Sequence, residues 1–85
     1  MTAVETRTFM RESWTALFPE VPAPLDQQWV LWLLLHDPET VREGIAQLAG
    51  KYRKLGGRMD ADYMVRFASS VMNRLKKEAE KGVVQ

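Results

Sequence analysis

Residues 29–40 read WVLWLLLHDPET, a run of seven apolar residues followed almost at once by a helix-start signal. Residues 29–35 are apolar on every side, and Asp26 just before them suits a helix N-cap. The leucines and the nearby caps favour a helix over a strand, which predicts a helix over 26–36. A helix that is apolar all round is either central in its domain or partly covered by another chain.

The next helix starts directly after this run. Asp37 is placed as N-cap, Pro38 takes the first helical position and Glu39 lies in the first turn. This pattern predicts a third helix over 38–55, which the glycine pair 56–57 ends. Its apolar residues recur at spacings of four, three and four, on one face: Val41, Ile45, Leu48 and Tyr52.

A fourth helix over 61–80 has the clearest pattern. Asp60 is placed as its cap, and Met59 can pack on Met64 as a hydrophobic staple. One predicted face is apolar: Met64, Phe67, Ala68, Val71 and Leu75.

Upstream, Thr2 and Glu5 match a capping box and predict a first helix over 4–18 that ends before Pro19. Residues 19–25 are then a connector. The apolar stripe of the first helix is Met10, Trp14, Leu17 and Phe18.

The chain therefore belongs to the all-α class, as a small four-helix domain. Its 85 residues fit one domain, over 1–82, with a frayed C-terminal tail at 83–85. We expect the second helix to be central, with the third and fourth helices forming a hairpin against it.

Composition excludes several classes of protein. The absence of cysteine excludes a disulfide scaffold, thiolate zinc sites and cysteine nucleophiles. Seven apolar residues are far fewer than the roughly 20 that a membrane helix needs. The N-terminus, MTAVE, lacks the basic start and apolar segment of a secretory signal. We expect a cytoplasmic protein with no membrane partner.

The net charge of +1 hides an asymmetry between the two halves. Residues 1–41 contain two basic and six acidic residues, a net charge of −4, whereas residues 42–85 contain ten basic and five acidic residues, a net charge of +5. The densest basic stretch is 51–58, which contains no acidic residue. Clustered Lys and Arg bind phosphates, but they also favour a helix C-terminus and solubility. The candidate nucleic-acid-binding residues are Lys51, Arg53, Lys54, Arg58, Arg66, Arg74 and Lys77.

Residues 24–78 resemble the C-terminal helical module of DnaD-like replication-initiation proteins. The resemblance is carried by the order of the apolar helix 29–35, the Asp-Pro-Glu start at 37–39, the basic loop 51–58 and the Tyr63-Met64 opening of the last helix. Where the family motif ends in tryptophan, this chain has Val71. The resemblance implies a module that contacts single-stranded DNA and replication proteins through the basic loop and the end of the last helix.

No pattern in the sequence points to catalysis, a metal, a cofactor or a small-molecule substrate. His36, the one histidine, stands beside Asp37 at a helix junction, where a helix-end cation and a cap explain both residues. Ser69 and Ser70 lie within a helix and lack the glycines of a nucleophile elbow. We therefore expect a non-enzyme, without catalytic residues.

Two functions remain open. The first is a non-catalytic interaction module, self-associating or adaptor-like, whose candidate partner interface is Trp29, Trp32 and Leu33. The second is a replication-associated accessory protein that binds nucleic acid with its basic C-terminal half.

Overall fold

The computed structural model describes residues 2–83, and for Val83 the backbone alone. Four helices follow one another within these residues: α1 (Ala3–Leu17), α2 (Asp26–Leu35), α3 (Pro38–Lys54) and α4 (Ala61–Val83). No strand occurs in this part of the chain, which confirms the all-α, four-helix class. The predicted bounds agree to within one residue, except that α4 continues to Val83. The rest of the predicted tail, Val84 and Gln85, lies outside the described residues.

Local caps set the starts of α1 and α3. The Glu5 backbone N–H donates to Thr2 Oγ1 at 3.1 Å, and the Thr2 N–H donates to Glu5 Oε1 at 3.2 Å, which confirms the capping box. The Thr40 N–H donates to Asp37 Oδ1 at 2.8 Å, which confirms Asp37 as the N-cap of α3. Hydrogen bonding from Thr40 holds the pKa of Asp37 below its ordinary value.

The start of α2 differs from the prediction. Leu25 occupies the N-cap position and no side chain caps this helix, so the prediction of Asp26 as N-cap is wrong. The Asp26 carboxylate instead accepts from Arg7 Nε at 3.1 Å and from Arg11 Nη2 at 2.7 Å. Two guanidinium groups from α1 thus give this carboxylate two hydrogen bonds in which both donor and acceptor are charged.

A chain of aromatic rings forms the middle of the core. Trp14 meets Phe18 at a centroid distance of 4.8 Å and Trp29 at 6.1 Å, while Trp29 meets Trp32 at 5.1 Å and Phe18 meets Tyr52 at 5.0 Å. All four pairs are edge to face, the arrangement that the ring quadrupoles favour. The rings thus connect α1, α2 and α3. Leu17, predicted on the buried stripe of α1, is 43% exposed, so its placement was wrong.

The α3 and α4 helices pack on each other more extensively than any other pair, which confirms the predicted hairpin. Gly44 permits this approach, since a β-carbon there would lie 2.7 Å from Met72 Cγ and 3.3 Å from the Ala68 carbonyl oxygen. At the end of α3, Gly56 and Gly57 take φ values of 65° and 76°, the left-handed region that favours glycine.

α2 is not enclosed by its own chain. Trp29 and Trp32 on one side are buried, whereas Leu31, Leu34 and Leu35 are 48%, 77% and 49% exposed. The second helix is therefore central on its tryptophan side only, and its leucine side remains exposed. No helix within the described range combines the length and apolar character needed to cross a membrane.

Candidate interaction site

The exposed face of α2 is apolar and uncharged. Leu31, Leu34 and Leu35 stand at i, i+3 and i+4, so they lie on one face, opposite the two buried tryptophans. No charged residue occurs between residues 27 and 35. We call these three side chains the leucine face of α2.

The tryptophans of the predicted interface belong to the core. Trp29 is fully buried and its Nε1 donates to the Pro24 carbonyl oxygen at 3.1 Å. Trp32 is 2% exposed and its Nε1 donates to Ser69 Oγ at 2.8 Å. Leu33 is half-buried against the same core. Neither indole offers surface to a partner in this conformation, because each ring has its apolar area covered and its N–H bonded.

A groove runs between α2 and α4, which make few direct contacts apart from the Trp32–Ser69 hydrogen bond. It consists of two adjoining open hollows of about 810 and 770 Å³, which share Gln28, Leu31, Val65 and Arg66 in their walls. The first hollow reaches the connector at 22–25, and the second continues along α4 to Lys77. We call this the α2–α4 groove.

The α4 wall of the groove is basic. Arg66, Arg74 and Lys77 line it together with Ser70 and Asn73. From residue 63 to residue 77, α4 carries four basic residues and no acidic one.

One of these cations is partly engaged within the chain. Arg74 Nη2 donates to Gln47 Oε1 at 2.8 Å, and its Nε lies 3.8 Å from Glu78 Oε1. Arg66 and Lys77 form no ion pair with any residue in the described range and are exposed.

The remaining candidate cations lie at the tip formed by the end of α3 and the loop after it. Arg53, Lys54 and Arg58 are exposed there. Lys51 is half-buried, with its Nζ 5.7 Å from the centre of the Phe67 ring, in a cation–π contact. We call these four residues the basic tip.

The seven predicted nucleic-acid-binding residues therefore form two groups. Four lie at the basic tip and three on the α4 wall. The wall begins at Arg66, beside the Phe67 that Lys51 contacts, and reaches Lys77, which lies ten residues, or about 15 Å, along the helix from Phe67. Sequence reasoning did not find the groove, because no local pattern shows which helices lie side by side.

His36 is the C-cap residue of α2, and its backbone N–H donates to the Trp32 carbonyl oxygen at 2.8 Å. Burial, followed by the nearby charge of Lys76, lowers the pKa of His36, while Asp37 and Asn73 act in the opposite direction. Burial thus favours the neutral imidazole at this helix end.

Among residues 2–83, no three His, Asp or Glu side chains are placed to hold a metal ion. Ser69, one of the two serines considered for chemistry, accepts the Trp32 hydrogen bond, and Ser70 is exposed. Comparison with protein-family models, with curated proteins and with solved structures gives no match for this chain.

Proposed function

We propose that this protein is a non-catalytic helical interaction module that binds another protein chain through the leucine face of α2. The observation that carries the proposal is the exposure of Leu31, Leu34 and Leu35 on a helix whose opposite side already supplies two tryptophans to the core. The fold does not need these leucines for its own core. Covering each one with a partner would contribute on the order of 1 kcal/mol or more.

A charge-free apolar face on so small a domain is typical of a protein–protein contact. The partner is either a second copy of this chain or a different protein, and both belong to the same class of function. The all-round apolar character of α2 supports the proposal, since it gives the helix one face for the core and a second face for a partner.

The test compares two leucine variants. Leu34→Ser removes the most exposed apolar side chain of the face, and Leu17→Ser removes a leucine of 43% exposure on α1 as the matched control. Sedimentation velocity up to high micromolar concentration measures self-association, and affinity capture from nuclease-treated extract measures binding to other proteins.

We expect the wild type and Leu17→Ser to associate, with themselves or with a captured protein, and Leu34→Ser to lose that association. A wild type that sediments as a monomer and captures no protein in a Leu34-dependent manner would show the proposal to be wrong.

A second candidate function is nucleic-acid binding, which the basic tip supports. Residues 44–59 contain no acidic residue, and Arg53, Lys54 and Arg58 are exposed without an ion-pair partner among the described residues. The resemblance to the DnaD-like module agrees with such a role. Phosphate contacts of this kind release counterions, so binding falls steeply as salt is raised.

Fluorescence anisotropy with labelled single-stranded DNA, duplex DNA and RNA tests this second candidate. We expect binding at low salt that the Lys51/Arg53/Lys54→Ala variant weakens. Failure of the wild type to bind any of the three at low salt would exclude nucleic-acid binding.

A further inference from the structure

We propose that the α2–α4 groove binds an amphipathic helix of a partner protein, whose carboxylates lie along the edge that faces α4. This inference rests on the proposed function, because it takes Leu31 of the leucine face as part of the α2 side of the binding surface. It adds the position of the partner, its secondary structure and its charge.

The two walls of the groove differ in chemistry. On the α2 side, Leu31 lines both hollows, and Leu35 lines a further hollow of about 400 Å³ beside Lys76. Val65 lies on the α4 side of both main hollows. An occupant must therefore present apolar side chains to Leu31 and Val65, where the two main hollows meet.

The basic side chains of the α4 wall favour a partner with negative charge. Arg66 and Lys77 are exposed, and no acid interrupts the sequence between Asp62 and Glu78. Asp62 lies in the wall of the first hollow, at the N-terminal end of α4, and α2 contributes no charge from residue 27 to residue 35. Basic side chains therefore dominate the charge of the groove from Arg66 to Lys77. Carboxylates at this edge would form charge-assisted hydrogen bonds and speed association.

The shape of the groove favours a helix. Its walls are two helices joined near the middle by one hydrogen bond, and helices pack side by side at about 8–10 Å between their axes. From Ala61 to Lys77, the part of α4 that lines the groove extends about 24 Å, which an occupant of roughly 16 to 18 helical residues would match. In helix-in-groove recognition, the bound helix supplies apolar anchors at i, i+3, i+4 and i+7.

Other occupants fit the same surface less well. A second copy that met the groove with its own α2–α4 surface would add the same cations and no new acid between Asp62 and Glu78. A nucleic acid would place its phosphates on the α4 wall but would leave Leu31 and Val65 against charged backbone. The partner that satisfies both walls is apolar on one side and acidic on the next.

The experiment uses the full chain and two synthetic peptides of about 18 residues that differ in charge alone. Each carries leucine at i, i+3, i+4 and i+7; one has glutamate along the flanking edge and the other has lysine there. Anisotropy of the labelled peptides measures affinity, and amide chemical-shift changes in the protein locate the site.

We expect the glutamate peptide to bind and the lysine peptide to bind at least about tenfold more weakly. Shift changes should centre on Leu31, Val65 and Arg66. Leu31→Ser should weaken binding by about tenfold, and Arg66→Gln/Lys77→Gln should weaken it and reduce its salt dependence. The control Arg53→Gln/Lys54→Gln removes the same charge from the basic tip and should leave the affinity unchanged.

Equal binding of the two peptides, no binding of either, or shift changes at the basic tip would overturn the proposal. Preferential binding of single-stranded DNA, or of phosphatidylserine vesicles, in an Arg66- and Leu31-dependent manner would also overturn it and assign the groove to that ligand. If capture of a protein depends on Leu34 while the glutamate peptide does not bind, the interaction module stands and the acidic helix is wrong.

Discussion

At the scale of single residues, two buried indoles differ in how their N–H groups are satisfied. Trp32 Nε1 donates to Ser69 Oγ at 2.8 Å, whereas Trp14 Nε1 has no hydrogen-bond partner among the described residues. The Trp32–Ser69 hydrogen bond is also the direct polar link between α2 and α4. Its loss would leave a second indole N–H buried without a partner.

Ser69→Ala is expected to lower the free energy of unfolding by about 1–3 kcal/mol, the cost of a buried donor left without its acceptor. The matched control is Ser70→Ala, since Ser70 is the exposed neighbour on the same helix and should change stability by less than about 0.5 kcal/mol. Urea unfolding followed by circular dichroism measures both. Equal effects of the two substitutions would contradict the assignment of this hydrogen bond.

His36 should make stability depend on pH. The folded state favours neutral His36, while the unfolded chain takes up a proton near the ordinary pKa of 6.5. The unfolded state then binds more protons, so the free energy of unfolding should fall as pH is lowered from 7 through 6.5.

Asp37 stabilises the fold in a lower pH range, because its contribution to the free energy of unfolding is lost only as pH falls below the ordinary carboxyl pKa of 3.8. Denaturant unfolding of the wild type and of His36→Gln between pH 7 and pH 5 checks the prediction. If the free energy of unfolding changed equally with pH in the two proteins, the role of His36 would be contradicted.

At the scale of helices, the α3–α4 hairpin depends on one small residue. Gly44→Ala should be destabilising by about 1–3 kcal/mol relative to Gly50→Ala, because its β-carbon would lie 2.7 Å from Met72 Cγ. Gly50 has open space around it, so Gly50→Ala should stabilise α3 by up to about 1 kcal/mol. Thermal unfolding of the two variants gives the comparison. If Gly44→Ala were as stable as Gly50→Ala, the Met72 side chain would be able to move away from the new β-carbon without loss of stability.

The helices also show which sequence signals were sufficient. Asp37, Pro38 and the 56–57 glycines act through hydrogen bonds and backbone angles within a few residues, so the bounds of α3 could be predicted. Asp26 carries the same cap signal as Asp37, yet it pairs with Arg7 and Arg11. That pairing depends on the position of α1 relative to α2, which cannot be predicted from the residues next to Asp26.

At the scale of the whole molecule, Trp14 joins α1 to the rest of the core through its rings with Phe18 and Trp29. Trp14→Ala should lower the free energy of unfolding by about 3–5 kcal/mol, a large share of the roughly 5–15 kcal/mol typical of a domain. Phe9→Ala is the control, because Phe9 is 47% exposed on the same helix, with Arg42 5.9 Å from its ring centre, and should cost about 1 kcal/mol. Urea unfolding by far-ultraviolet circular dichroism measures the difference, and a small effect of Trp14→Ala would show that α1 is only loosely attached.

The charge asymmetry between the two halves of the chain becomes two separate surfaces in the folded molecule. The +5 half divides into a basic tip and a basic α4 wall, and the wall stands across a groove from Leu31 of α2. Neither group could be separated from the other by counting charges along the chain. The division matters because it supports two different partners at two different places.

The amino-acid sequence by itself determined that this protein has four helices, and nearly where each one begins and ends, because caps, prolines, glycines and apolar periods act over a few residues. It did not determine which side of α2 faces outward, since a run that is apolar all round has no period from which to choose a face. Packing decided that: the two tryptophans have the largest apolar area and find acceptors at Pro24 and Ser69, so they are buried and the leucines remain exposed. The α2–α4 groove likewise exists only because α3 and α4 pack closely at Gly44 while α2 and α4 do not.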